Sequence, residues 1–180
     1  VFFGSGRVIA DRDVASVVYT DRGRKQDQAL PRYVAGSTDA IALPSIFKNI
    51  SSFGLDYSTA ILLVNFGDQD ATVEIEYMPV IGTASVTKDT VTVPAKAALN
   101  VDQRYDSPGI TSPIFMGAAE LKSTNGQPVA AMVNLRGGSR YAMTYGGVMA
   151  GRMVAYIPIS YKDVSSGGYS WSSTVIVQNL

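Results

Sequence analysis

The chain has 180 residues, with 15 basic and 15 acidic side chains, no Cys and no His. That balance leaves no electrostatic footprint for nucleic acid or anionic lipid. The two missing residue types remove the usual ligands of zinc, haem and copper, and any Cys–His or Ser–His nucleophile. Apolar residues make up 46%, enough for a packed core, and no stretch reaches the roughly 18 uninterrupted apolar residues of a membrane span.

In chain order, "VFFGSGRVIA" (1–10) lacks the charged leader and long apolar run of a signal peptide, so a signal already removed or a longer parent chain is expected. "DRGRKQDQALPR" (21–32) opens with three basic residues, Arg22, Arg24 and Lys25, between two acids and reads as an inserted, solvated hairpin tip or else a partner-contact loop. From there short strands follow one another, at 41–47, 57–66, 71–79, 85–94, 97–103, 117–123, 128–136 and 140–147. "AILLVNF" (60–66) is almost continuously apolar, as a strand covered on both faces would be. "ATVEIEYMP" (71–79) alternates, placing Val73, Ile75 and Tyr77 inward and Thr72, Glu74 and Glu76 outward. "DTVTVP" (89–94) turns Val91 and Val93 inward, and "AALNVDQ" (97–103) does so with Leu99 and Val101. "TNGQ" (124–127) is an Asn-Gly turn of the kind that closes hairpins. No window of 11 or more residues has helical periodicity. The expected fold is all-β, an Ig-like antiparallel β-sandwich.

The chain also repeats itself. Sliding it by 114 lays 38–66 on 152–180, and seven of those 29 positions are identical: Pro44 with Pro158, Lys48 with Lys162, Ser51-Ser52 with Ser165-Ser166, Gly54 with Gly168, Ser58 with Ser172 and Asn65 with Asn179. Shifts of 113 and 115 bring "FFGSG" (2–6) onto "FMGAA" (115–119) and "VASVVY" (14–19) onto "VAAMVN" (129–134). Such a period is read as a tandem array. One complete module of about 114 residues is expected over 38–151. Residues 1–37 would be the C-terminal half of a preceding module, and 152–180 the N-terminal half of a following one. The two halves would be completed by chain beyond this sequence, by each other within one chain, or by a neighbouring copy through strand exchange. Gly146-Gly147 and Gly151 are expected to make the bend between modules, with "MAGRMV" (149–154) as linker.

"IALPSIFKN…YSTAILLVNFGDQDATVEIEYMPV" and "AYIPISYKD…YSWSSTVIVQNL" resemble the tandem β-sandwich modules of large secreted proteins in Chloroflexus-like filamentous bacteria. Leu43-Pro44 with Lys48-Asn49, Trp171-Ser172, Gln178-Asn179 and "GQPVAAMVN" (126–134) carry the resemblance across essentially the whole chain. The chain departs from the pattern at Asn65-Phe66, where Val64 replaces the Gln, and in its basic stretch at 21–32. The resemblance implies an extracellular or cell-surface location and no assigned chemistry.

The remaining candidates are weighed residue by residue. Asp68 and Asp70 in "GDQD" are the calcium candidates, with turn formation as the competing reading. Tyr57 and Trp171 share a repeat position, with Tyr161 and Tyr169 nearby. They are either rings packed at a sandwich end, a glycan platform or a module junction. Carboxylates for glycoside hydrolysis could be drawn from Asp56, Asp68, Asp70, Asp102 and Glu120, with nothing to single out a pair. Together these features predict a structural, non-enzymatic module that assembles with other copies of itself into a filament, surface layer or adhesive stalk. No catalytic residue and no cofactor other than possible calcium is expected, nor any nucleic-acid partner or membrane insertion. The competing expectation is a carbohydrate-binding module of a secreted glycoside hydrolase.

Overall fold

The computed structural model describes residues 36–52, 54–81, 86–138, 141–149, 160, 162–166, 168–171, 175 and 177–179. Among them there is no helix. Eight of the strands are those expected from sequence: β1 (Ile41–Lys48), β3 (Leu55–Asn65), β4 (Ala71–Ile81), β5 (Thr87–Val93), β6 (Ala98–Asp102), β7 (Phe115–Ser123), β8 (Val129–Gly137) and β9 (Tyr141–Gly146). Three short ones join them: β2 (Ile50–Ser52), β10 (Val164–Ser166) and β11 (Tyr169–Trp171). The half-module expected over 1–37 lies almost wholly outside the described residues.

The eight long strands and β2 form two antiparallel sheets. One has the order β1-β7-β4-β5. The other is centred on β3, with β8 and then β9 on one side and with β2 and β6 sharing the other. The chain changes sheet five times between β1 and β9, so neighbours in sequence are mostly partners across the core rather than within a sheet. This is a β-sandwich.

Its interior is what period-2 alternation dictates. Val73, Ile75 and Tyr77 of β4 are fully buried, while Glu74 and Glu76 on the other face both pair with Lys88 of β5, at 2.8 and 2.9 Å. Opposite them Ile61 and Leu63 of β3 and Val129, Ala131 and Val133 of β8 close the core. The Tyr77 and Phe115 rings meet edge to face at 6.0 Å, a favoured aromatic geometry. The apolar run in β3 is covered less evenly than expected, since Leu62 and Val64 are only half-buried.

Two expectations are corrected. The strands flanking the Asn-Gly turn do not form a hairpin, because β7 and β8 lie in different sheets. The turn is held to the start of β4 instead. Asn125 Nδ2 donates to Asp70 O at 2.8 Å, Asn125 Oδ1 accepts from Thr72 N at 3.1 Å, and Thr124 N donates to Thr72 O at 2.8 Å. Bonds to a third strand convert a tight turn into an arch over the core. Nor do Gly146 and Gly147 bend away from the module. Gly146 pairs with Met132, Gly147 N donates to Ala131 O at 2.9 Å, and Val148 bridges Ala42. Gly151 and most of "MAGRMV" fall outside the described residues.

β1 carries a bulge between Leu43 and Ile46, where Pro44 has no N–H to give a ladder. The phenol of Tyr145, half-buried on β9, plugs it. Its hydroxyl accepts from Ser45 N at 3.0 Å and donates to Ser45 O at 2.7 Å. Burial pushes this hydroxyl's pKa well above the ordinary tyrosine value. One side chain thus ties an edge of one sheet to an irregularity in the other.

Candidate functional site

The hairpin entering β3 is built from a few local decisions. Asn49 has φ of 50°, a left-handed conformation that Asn tolerates better than most residues. Its N–H donates to Ser58 Oγ at 2.9 Å and its Nδ2 to Pro113 O at 3.1 Å. Gly54, at φ 73°, makes the turn. Ile50 then pairs with Tyr57, Ser51 with Asp56 and Ser52 with Leu55. The Tyr57 ring lies flush on β8: a Cβ added to Gly137 would come within 2.5 Å of Tyr57 Cε1. Tyr57 is therefore half-buried against its own sandwich.

The β10–β11 hairpin has the same construction. Val164 pairs with Trp171, Ser165 with Ser170 and Ser166 with Tyr169, each residue 114 positions after its counterpart (50 to 164, 57 to 171). Asp163 stands at φ 52° where the first hairpin has Asn49, and Gly168 at φ 82° where it has Gly54. A left-handed non-glycine residue is uncommon. Two of them at the same offset, each followed by a hairpin of the same register, make one local structure used twice. Trp171 and Tyr169 thus occupy the hairpin positions of Tyr57 and Leu55. Tyr161 lies outside the described residues.

The carboxylates are spread over separate tasks. Asp68 pairs with Lys96 at 2.8 Å, and Asp70 Oδ1 accepts from Ala95 N at 3.0 Å, so both fasten the β3–β4 turn to the β5–β6 turn. Asp56 accepts from Ser51 Oγ at the first hairpin, and Glu120 stands exposed on the outer face of β7. Asp102 takes a bidentate bond from Arg104, Nε at 3.0 Å and Nη2 at 2.6 Å, with Arg136 Nη1 at 3.9 Å. Burial pushes the Asp102 carboxyl up. The Arg104 side-chain and backbone bonds, with the charges of Arg104 and Arg136, outweigh that and hold it below the ordinary value of 3.8.

A folded value below the unfolded one stabilises above the unfolded value and is lost as pH falls through the folded one. Asp102→Asn is therefore expected to cost about 2 kcal/mol at pH 7, typical of a charge-assisted bond. The gap between variant and parent should narrow toward pH 3. Urea melts at the two pH values check it, and a pH-independent gap would contradict the assignment.

One polar cluster escaped the sequence reading. Gln103, fully buried, donates from Nε2 to Val101 O at 3.1 Å and to Ser107 Oγ at 3.4 Å, and its Oε1 lies 3.0 Å from Thr59 Oγ1. Ser107 Oγ is 3.1 Å from Tyr77 OH, and Asp89 Oδ1 accepts from Gly109 N at 2.5 Å. Burial first, then the neighbouring Asp89 charge, holds the Tyr77 phenol well above its ordinary pKa despite the Ser107 bond. The cluster is a chain of hydroxyl, phenol and amide that pins the 103–110 crossover to both sheets. Parity could have found it. Asp89 is in step with Val91 and Val93, and Gln103 with Leu99 and Val101, so each falls on a core face.

No protein-family model matches the chain, and no curated protein matches it. Among solved structures it is similar to the one described as the crystal structure of Thermotoga maritima 1070, at 18% identity and a TM-score of 0.47 over 63% of this chain and 95% of that one.

Proposed function

We propose that this chain belongs to a tandem array of like β-sandwiches with a structural, non-enzymatic role at the cell surface or outside the cell. The observation that carries the reading is the hairpin at 164–171, which has the register, the turn glycine and the left-handed residue of the hairpin at 50–57. A chain that starts the same sandwich again 114 residues later is a string of modules. Its mechanics follow from the parts. Each module closes its own core, and assembly uses edges and outer faces between copies in a filament, surface layer or stalk. Asp68 and Asp70 act in this reading as turn fasteners rather than calcium ligands.

Electron microscopy of the native material and of the purified chain tests the proposal. Regular filaments or sheets are expected, and a monodisperse chain that assembles under no condition would overturn it. Tyr57 separates the carbohydrate-binding reading. Because its ring packs on Gly137, Tyr57→Ala is expected to lower stability by about 2 kcal/mol and to leave migration through glycan-containing affinity gels unchanged. Retention that the parent shows and the variant loses would point to sugar recognition instead.

A further inference from the structure

The eight long strands run alternately up and down the sandwich. β1, β4, β6 and β8 lead away from the end where β1 begins, and β3, β5, β7 and β9 lead back to it, as their antiparallel pairings require. An even number of passes returns the chain to the end it entered. Entry and exit therefore share one end, the near end, whereas an odd number would have set them at opposite ends.

The arriving and departing segments are also interlocked. On the side of β8 away from β3, Val133 pairs with Tyr145 and Ala131 O accepts from Gly147 N at 2.9 Å, but Val129 exchanges both backbone bonds with Ser37, at 2.7 and 2.8 Å. The arriving chain thus takes the last place in the slot that β9 fills. Each segment then crosses to the other sheet. Ser37 leads into β1, and Val148 exchanges bonds with Ala42 of β1 at 2.8 and 2.9 Å. Gly147 makes the second crossing possible, because a Cβ there would collide with Ile41 Cγ2.

Ser37 and Gly147 stand beside residues of β8 that are two apart, roughly 7 Å along the strand. By the 114-residue offset the counterpart of Ser37 is residue 151, four residues after Gly147, and a stretch of that length spans at most roughly 14 Å. Successive entry points can then lie no more than roughly 21 Å apart. β3 and β4 have 11 residues each and are roughly 36 Å long. Modules following one another in series, far end to near end, would need that whole length between entry points. The chain does not supply it.

Resting on the array reading above, we propose that successive modules meet at their near ends, each hanging crosswise from a short thread rather than standing in series. The occupant of each near end is the near end of the next module in the same chain. The surface offered there is polar: exposed Asp68 and Gln69 from the β3–β4 turn, Lys96 from the β5–β6 turn, and Thr124 and Asn125 from the arch. Polar contacts of that kind are usual between domains of one chain. The β2–β3 hairpin, with Tyr57, lies at the far end and points away from the thread in every module.

The parent chain has no Cys, so introduced pairs can be cross-linked without background. Thr38→Cys and Met149→Cys, both exposed beside the shared end, are expected to close within one chain under a short bismaleimide. Ser51→Cys with Met149→Cys should react at least about tenfold more slowly, because β1 carries Ser51 roughly 20 Å or more from Ala42. Equal rates would overturn the shared end, and the junction with it. Diffraction from the native array then reads the junction itself. An axial repeat per module of at most about 21 Å is expected. A longer repeat, approaching the roughly 36 Å of modules in series, would overturn the proposal and leave the array standing. Native material with no repeat of modules would instead reject the array reading, and this junction with it.

Discussion

Asn65→Ala is expected to destabilise the chain by about 3 kcal/mol, while the matching Asn179→Ala stays within about 0.5 kcal/mol. Asn65 ends β3 with 1% exposure and is a hub rather than a filler. Its Nδ2 donates to Gln69 O at 2.7 Å and Val93 O at 3.0 Å, and its Oδ1 accepts from Gly67 N at 2.8 Å. Those three backbone groups come from the β3–β4 turn and from the end of β5. Truncation leaves them inside the protein without partners, and a buried orphan costs far more than a lost exposed bond. Asn179 occupies the same place in the repeated phrase but is exposed here, so removing its amide orphans nothing buried. Urea melts of both variants decide it, with the midpoint moving and the slope held. Equal losses would mean that the two asparagines share one environment, contrary to the structure.

That contrast shows where sequence reading reached and where it stopped. Alternation placed Val73, Ile75, Tyr77, Val93 and Val101 on core faces, because a pleated strand has only two sides and one of them was filled with Glu and Thr. It missed β2 because three residues are too few to alternate. It misread the Asn-Gly turn because a turn signal is local, whereas the bonds from Asn125 to Asp70 O and Thr72 N that redirect the chain come from more than fifty residues away. The Tyr145–Ser45 plug spans 100 residues, and nothing in either neighbourhood announces it. Among the candidate site residues, the Tyr57–Trp171 equivalence was legible from the 114-residue offset alone. The apolar groove on the outer face of the β1-β7-β4-β5 sheet, lined in part by Pro44, Phe47, Met78, Pro79 and Met116, was not, since it lies between two irregular strands that are brought together only through β7. Repeats and parity are written in one dimension; a surface shared by three strands is not.

Gly117→Ala should be the most damaging glycine-to-alanine change among the described residues, costing about 3 kcal/mol or more, at the upper end of what overpacking does. Gly117, the third residue of β7, faces the core between Phe115 and Ala119. A Cβ built there would lie 2.2 Å from Met78 O and 3.0 Å from Met78 C, with the Phe115 ring 2.9 Å away. A ring can swing aside, but the carbonyl belongs to β4, which is laddered to β7 on one side and to β5 on the other. Relief therefore requires the two central strands of the sheet to part. The register step between Pro79 and Ile81, opposite Gly117 and Met116, brings the β4 backbone in this close, and the same step forms one wall of the outer groove. A second substitution separates the two clashes. If the ring were the main obstacle, Phe115→Leu would restore most of the loss when combined with Gly117→Ala. With the carbonyl as the main obstacle, the double variant should remain at least as unstable as Gly117→Ala alone, because shortening residue 115 also opens a cavity beside Tyr77. Thermal melts of the two single variants and the double close the cycle, and a rescued double variant would move the strain from the backbone to the ring.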